Sequence, residues 1–458
     1  MTALSLPRPR RIRPLALLAA SLLVVAASQA IAVLRPGDAT APAAPLTVSG
    51  PVSPPEAPVM AAPGSLAQLD RSIGAWTANL AANDRDFLSA RNLGLLYEAR
   101  ARLSGDITDY GRATEAANSS LAIEPRQLDV QALHARLLLA THDFSKALAE
   151  ASSVDRSAPD QPAVLAIMGD ALLELGRVDE AADRYQQLEA LSPGPAVTAR
   201  QARIAFLRGD PASAVSLAVA AYDAAATQDL TGPGLSWYAY LAGTFEVASG
   251  APDDAATWFD RALVAWPKSY LALAGRARAA AALGDLDAAV DGYRAAIAVA
   301  PQPDALTALG DLLAIQGDAA GAEEQYATVD AIARLQSSAG PVFDRQLAAF
   351  DVNHDRDLVE ALTLAERELK TRKDAYGYDA YAWALLANGR AADAQAAIDH
   401  ALAFGTRDAL LLYHAGEIAG ALGDIARARE LLTDALAIRG ALDPLAASRA
   451  AASLASLR

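Results

Sequence analysis

The stretch whose residue types and spacing come nearest to metal chemistry is Asp351-Val352-Asn353-His354-Asp355-Arg356-Asp357-Leu358. Oxygen donors at alternate positions are how a 12-residue loop begins to wrap a calcium ion. Two positions do not fit. Arg356 stands where such a loop needs glycine for its sharp turn, and Leu362 stands where it needs a bidentate glutamate. We therefore read the segment as an acidic loop between two helices, with one aspartate capping the second. The five histidines (His134, His142, His354, His400 and His414) show no pairing at metal-ligand spacing. His134 and His414 fall on helix faces expected to be packed, where a histidine is normally a hydrogen-bonded core residue. No glycine-rich phosphate loop, nucleophile elbow or Ser-x-x-Lys occurs. Cysteine is absent, which excludes disulfides, thiolate metal sites and a thiol nucleophile. We expect no metal, no cofactor and no catalysis.

The elements that would position any binding group are helices in pairs. Over residues 159–193, Leu165, Met168 and Leu172 form one apolar stripe, and Gly176 breaks it where a helix end favours positive φ. A second stripe runs through Ala181, Tyr185, Leu188 and Leu191 and is stopped by Pro193. Gly169 and Ala181 are small where the two helices would come closest. Prolines recur at Pro125, Pro159 and Pro193, and again at Pro267 and Pro301, each step 34 residues.

On these residues the chain resembles the tetratricopeptide repeat family, whose period is about 34 residues. The segments HDF (142–144), GDALLELGR (169–177) and LLYHAGEIAGALGD (411–424) also look like a group of exported bacterial repeat proteins. The resemblance implies an all-α, right-handed superhelical solenoid whose concave face is built from first helices. It also implies binding of a protein or peptide partner.

Taken in order, Arg8, Arg10, Arg11 and Arg13 precede an uncharged stretch, Leu15 to Leu34, and predict a signal anchor or a cleaved signal peptide within residues 1–34. As an anchor, residues 15–34 would hold the N-terminus in the cytoplasm; either way the body is extracytoplasmic. Residues 35–64 are a Pro/Ala-rich linker. The solenoid is expected over 65–442, with a leading helix at 65–82 and about ten repeats at 84–442. Repeat eight is irregular, and residues 443–458 form a capping helix. A longer connection is expected at Thr227–Gly234. The net charge is −15, and beyond the arginine-rich N-terminus the body is more acidic still, which argues against nucleic acid.

Counted from the small contact residue of each first helix, the neighbouring inward position reads Arg136, Asp170, Arg203, Thr244, Arg278, Asp311, Phe350, Trp383 and Glu417. Trp237, Tyr240, Tyr376 and Tyr413 share that face. Arginine and aspartate one repeat apart could simply neutralise each other. Alternatively, Arg136, Arg203 and Arg278 clamp carboxylates or carbonyls of an extended ligand, with Trp237, Tyr240, Tyr376, Trp383 and Tyr413 as anchors. Two other functions compete with the binding scaffold. One is an envelope structural or polysaccharide-binding protein, favoured by an arginine-free aromatic groove; the other is a hydrolase with its site in repeat eight.

Overall fold

The computed structural model describes residues 66–336 and 343–457; the signal and linker segments expected at 1–34 and 35–64 lie outside them. The described residues hold 22 helices and no strand. The leading helix α1 (Leu66–Ala82) is followed by ten hairpins and a last helix. The hairpins are α2 (Phe87–Ser104) with α3 (Thr108–Ile123), α4 (Leu128–Ala140) with α5 (Phe144–Ser157), and α6 (Pro162–Glu174) with α7 (Val178–Leu191). Next come α8 (Pro195–Leu207) with α9 (Pro211–Thr227), α10 (Gly232–Ala248) with α11 (Pro252–Ala265), and α12 (Tyr270–Ala282) with α13 (Leu286–Val299). The rest are α14 (Pro303–Ile315) with α15 (Ala319–Gln336), α16 (Asp344–Asn353) with α17 (Leu358–Thr371), α18 (Ala375–Ala387) with α19 (Ala391–Leu402), and α20 (Ala409–Ala421) with α21 (Ile425–Ala437). Helix α22 (Pro444–Ser456) packs on α21 and also reaches α14, the first helix of the seventh hairpin. Among the described residues no helix is long and apolar enough to cross a membrane.

Each hairpin turn is written in its sequence. At 207–213, the amides of Gly209 and Asp210 close back on the carbonyls of Phe206 and Ala205, Gly209 takes φ +80°, and the Asp210 carboxylate accepts from the Ser213 amide. That is a left-handed helix stop followed directly by an N-cap. Proline at the first position of α6, α8, α9, α11, α14 and α22 removes a donor that would have no helical partner. The same device shortens the connection expected at 227–234. Helix α9 runs to Thr227, and Gly232-Pro233-Gly234 forms the first turn of α10, because proline fits that turn.

Within a hairpin, the small residue of the first helix receives a large side chain of the second. The Tyr185 ring covers Gly169, and the Leu432 side chain covers Gly416. Phe259 fills the space above both Gly243 and Gly275, so one ring joins α10, α11 and α12.

The windings of the superhelix also touch one another. Thr406 Oγ1 donates to the Leu207 carbonyl at 2.8 Å across 199 residues, and the Lys373 amide donates to the Glu174 carbonyl at 3.0 Å. Arg439 pairs with Asp253 at 2.5 Å. A span of 199 residues is close to six repeats of about 34. Turns inside hairpins three to five therefore lie against loops between later hairpins. A Cβ on Gly176 would strike the Lys373 carbonyl, and one on Gly209 the Gly405 carbonyl, whereas Gly284, Gly317, Gly389 and Gly423 face open space.

Candidate functional site

Contact between the windings brings first-helix side chains of distant hairpins into shared surroundings. Arg203 and Asp304 are surrounded by protein, yet both side chains keep substantial contact with solvent. Such groups line a wet lumen rather than a dry core. Arg278 and Arg345 belong to the same surroundings, since both charges act on Asp304. These residues come from first helices: Arg203 on α8, Arg278 on α12, Asp304 on α14 and Arg345 on α16.

The eight residues expected to bind are placed differently from one another. Arg136 is 2% exposed and donates through Nε and Nη2 to both oxygens of Glu98, at 2.6 and 2.5 Å. It lies inside the solenoid wall. Arg203 Nη2 donates to Glu174 at 2.5 Å while its side chain stays 43% exposed. Arg278 donates through Nη2 to the Ala441 carbonyl at 2.8 Å and has no ion pair among the described residues. Tyr240 lines a cavity together with Arg278. The Tyr376 hydroxyl donates to Asp408 at 3.3 Å, and its ring faces Arg345. Trp237 packs edge-on against Tyr238. Trp383 donates from Nε1 to Asn353 at 2.9 Å and stacks on His414 at 4.1 Å. Tyr413 is 4% exposed, and burial pushes its hydroxyl up to about 12. The lumen thus brings together Arg203, Arg278, Tyr240 and Tyr376; Arg136, Trp237, Trp383 and Tyr413 sit in packing between repeats.

The aspartates at the inward positions have other partners. Asp170 accepts from the Tyr185 hydroxyl and from Nε and Nη2 of Arg200, all at 2.8 Å. Asp311 repeats the arrangement four hairpins later, with Tyr326 and His354 each at 2.7 Å. The carboxylates that meet Arg136 and Arg203 are instead Glu98 and Glu174. Glu174 lies one helical turn beyond Asp170, which brings it to the height of the Arg203 guanidinium.

A charged cluster ties the lumen to the winding contact. Burial alone would raise the Glu174 carboxyl, but Arg203 and Arg372 outweigh burial and hold it well below the usual carboxylate range. Arg372 Nε lies 3.0 Å from Glu174 and 3.4 Å from Glu368, so the pair spans hairpins three and eight. Sequence spacing alone does not reveal this cluster, because 198 positions separate Glu174 from Arg372. Arg345 escapes the inward count because the count takes Phe350 from that short first helix, and Arg345 lies more than one turn earlier on it.

The segment expected to be a loop at 351–358 is partly helical: residues 351–353 end α16, 354–357 form the turn and Leu358 begins α17. The Asp357 carboxylate accepts from the Glu360 amide and caps α17. Arg356 lies 3.0 Å from Asp330 and over the Phe350 ring. Among the described residues no group of three His, Cys, Asp or Glu side chains could hold a metal. His354 lies between the Phe350 carbonyl and Asp311. His134 and His414 sit 2.7 and 2.9 Å from Glu150 and Asp379.

Burial and the nearby charges of Asp330 and Asp357 raise the Asp351 carboxyl to about 6. In the folded chain this group binds a proton between its ordinary value and about pH 6. It therefore opposes folding most once pH exceeds about 6, and the penalty fades as pH falls toward 4. Asp351→Asn is expected to raise the melting temperature at pH 7, with the difference from the parent closing by about pH 4. A constant offset across that range in calorimetric scans would contradict the assignment.

A family model described as tetratricopeptide repeat matches residues 132–196, 168–229 and 274–335, less than half of the chain. No curated protein sequence matches. Among solved structures, the human IFIT1 dimer with PPP-AAAA is 14% identical, with 81% of this chain and 87% of that chain covered and a TM-score of 0.44. Yeast Tom70 is 13% identical, covering 84% of this chain and 92% of that one, TM-score 0.35. PilW, described as a widely conserved type IV pilus biogenesis factor, is 20% identical, covering 45% and 93%, TM-score 0.38. In its matched segments and in its stacked hairpins, the chain is similar to tetratricopeptide repeat proteins.

Proposed function

We propose that this chain is a non-catalytic scaffold of the cell envelope that binds a protein or peptide partner through the inner face of its solenoid. The observation that carries the proposal is the convergence of Arg203, Arg278 and Arg345 on one wet lumen, with Tyr240 and Tyr376 beside them. Arginine and tyrosine at a water-accessible concave surface are what a partner's carboxylates and apolar side chains would engage. Arg203 is only half engaged by Glu174, and neither Arg278 nor Arg345 has an ion pair among the described residues. The presence of arginine also separates this surface from the neutral aromatic groove that a polysaccharide would favour. Export is supported by the arginines at 8–13 ahead of the uncharged residues 15–34.

The full chain, used as bait against solubilised envelope proteins, is expected to capture a partner. A triple variant with glutamine at 203, 278 and 345 is expected to lose that partner while keeping the helical circular-dichroism spectrum of the parent. Arg136 is left intact because its guanidinium belongs to the buried pair with Glu98. Equal capture by parent and variant would remove the lumen from the binding surface.

A further inference from the structure

Beside the arginine lining, the lumen contains a cavity of about 290 Å³ bounded by Tyr240, Phe259, Tyr270, Arg278, Tyr293 and Asp304, among others. Its volume lies at the lower edge of the range for small-molecule sites, about 300 Å³ upward. A peptide segment of several residues is too large for it, and a single compact molecule fits.

The charges in its wall are arranged unusually. Arg278 and Asp304 feel one another, since the arginine acts on the carboxyl, yet no ion pair joins them, and neither forms an ion pair with another described group. Arg278 is tethered by the Ala441 carbonyl, 2.8 Å from Nη2, and Asp304 sits in the first turn of α14 beside Gln346. With Nη2 engaged, the guanidinium still has donors to offer. The rest of the wall is rich in aromatic rings, with Tyr240, Phe259, Tyr270, Tyr293 and Phe343 among its residues. A cation and an anion lining one cavity without an ion pair, in a wall otherwise rich in aromatic rings, complement a molecule that carries one charge of each sign beside an apolar body.

We infer that this cavity is a binding site for a free α-amino acid with an apolar or aromatic side chain, its carboxylate on Arg278 and its ammonium on Asp304. A peptide end carries only one of those charges near its terminal residue, so the free zwitterion is the better match. The inference stands apart from the scaffold proposal: a chain that captures no protein could still hold the amino acid.

The test is calorimetric titration of the full chain with L-phenylalanine and L-leucine. Comparators are phenylalaninamide, which lacks the carboxylate, and N-acetylphenylalanine, which lacks the ammonium. At least one free amino acid is expected to bind with 1:1 saturation, and each one-charge analogue on the order of 10- to 100-fold more weakly. In Arg278→Gln the preference for phenylalanine over its amide is expected to vanish. In Asp304→Asn the preference over the N-acetyl compound is expected to vanish. Absence of saturable binding by both amino acids up to about 10 mM would overturn the inference, as would analogues that bind as well as the zwitterions. Both of these outcomes are read on the unmodified chain, so neither depends on a variant folding.

Discussion

Arg136→Ala is expected to destabilise the chain by about 3–5 kcal/mol, measured by urea titration followed by circular dichroism. The magnitude comes from Glu98, which is 2% exposed and would be left with Arg102 as its one remaining cation. Removing both partners has a different expected result. Glu98→Leu with Arg136→Met should be near neutral, because neither member of the buried pair remains and Arg102, which also meets Glu98, reaches solvent. The pH dependence gives a second readout. Burial would push the Glu98 carboxyl up, but Arg102 and Arg136 together hold it below its ordinary value. A depressed carboxyl contributes stability above its unfolded value, and that contribution disappears as pH falls through the folded one. The parent should therefore lose acid stability that the double variant keeps. Parallel acid profiles for the two would contradict the assignment.

Gly209→Ala is the second large effect expected. At φ +80° an L-residue costs about 1–2 kcal/mol. The added Cβ would also run into the Gly405 carbonyl, and a backbone atom cannot rotate away. Forced shifts of this kind add about 1–3 kcal/mol. Gly389 supplies the control, because its φ is +74° but its Cβ would meet nothing within 4 Å. Gly389→Ala should show the backbone strain alone. Small-angle X-ray scattering should show an enlarged radius of gyration for Gly209→Ala and an unchanged one for Gly389→Ala. Equal losses of stability and equal radii would mean that the two windings do not bear on each other at Gly209.

The hairpins are legible in the sequence because their causes are local. Pro193, Gly176 and the stripe through Leu165, Met168 and Leu172 each act within a few residues, and α6 and α7 form where those signals place them. The inward face is legible in part. Counting from Gly169 or Ala202 finds residues on the correct helix side, and so reaches Arg203. It does not reveal which carboxylate lies a turn away, so Glu174 escapes it. Nothing local distinguishes Gly209 from Gly389 either: both end a first helix with positive φ, and only the first is covered by another winding. Asp304 and Arg345 escape for the same reason, as they matter through neighbours more than a hairpin away.

The bond between Thr406 and Leu207 also changes how the molecule should respond to a pull on its ends. In a solenoid whose hairpins touch only their neighbours, tension peels repeats off one at a time, each at a similar low force. Here the coil is fastened across 186 to 199 residues at several loops. Force applied at the ends of the described chain reaches those fastenings in shear before it can peel an interior hairpin. The hairpins ahead of Glu174 should peel first in small steps, then one tall rupture should mark the fastenings, followed by a train of small and even steps.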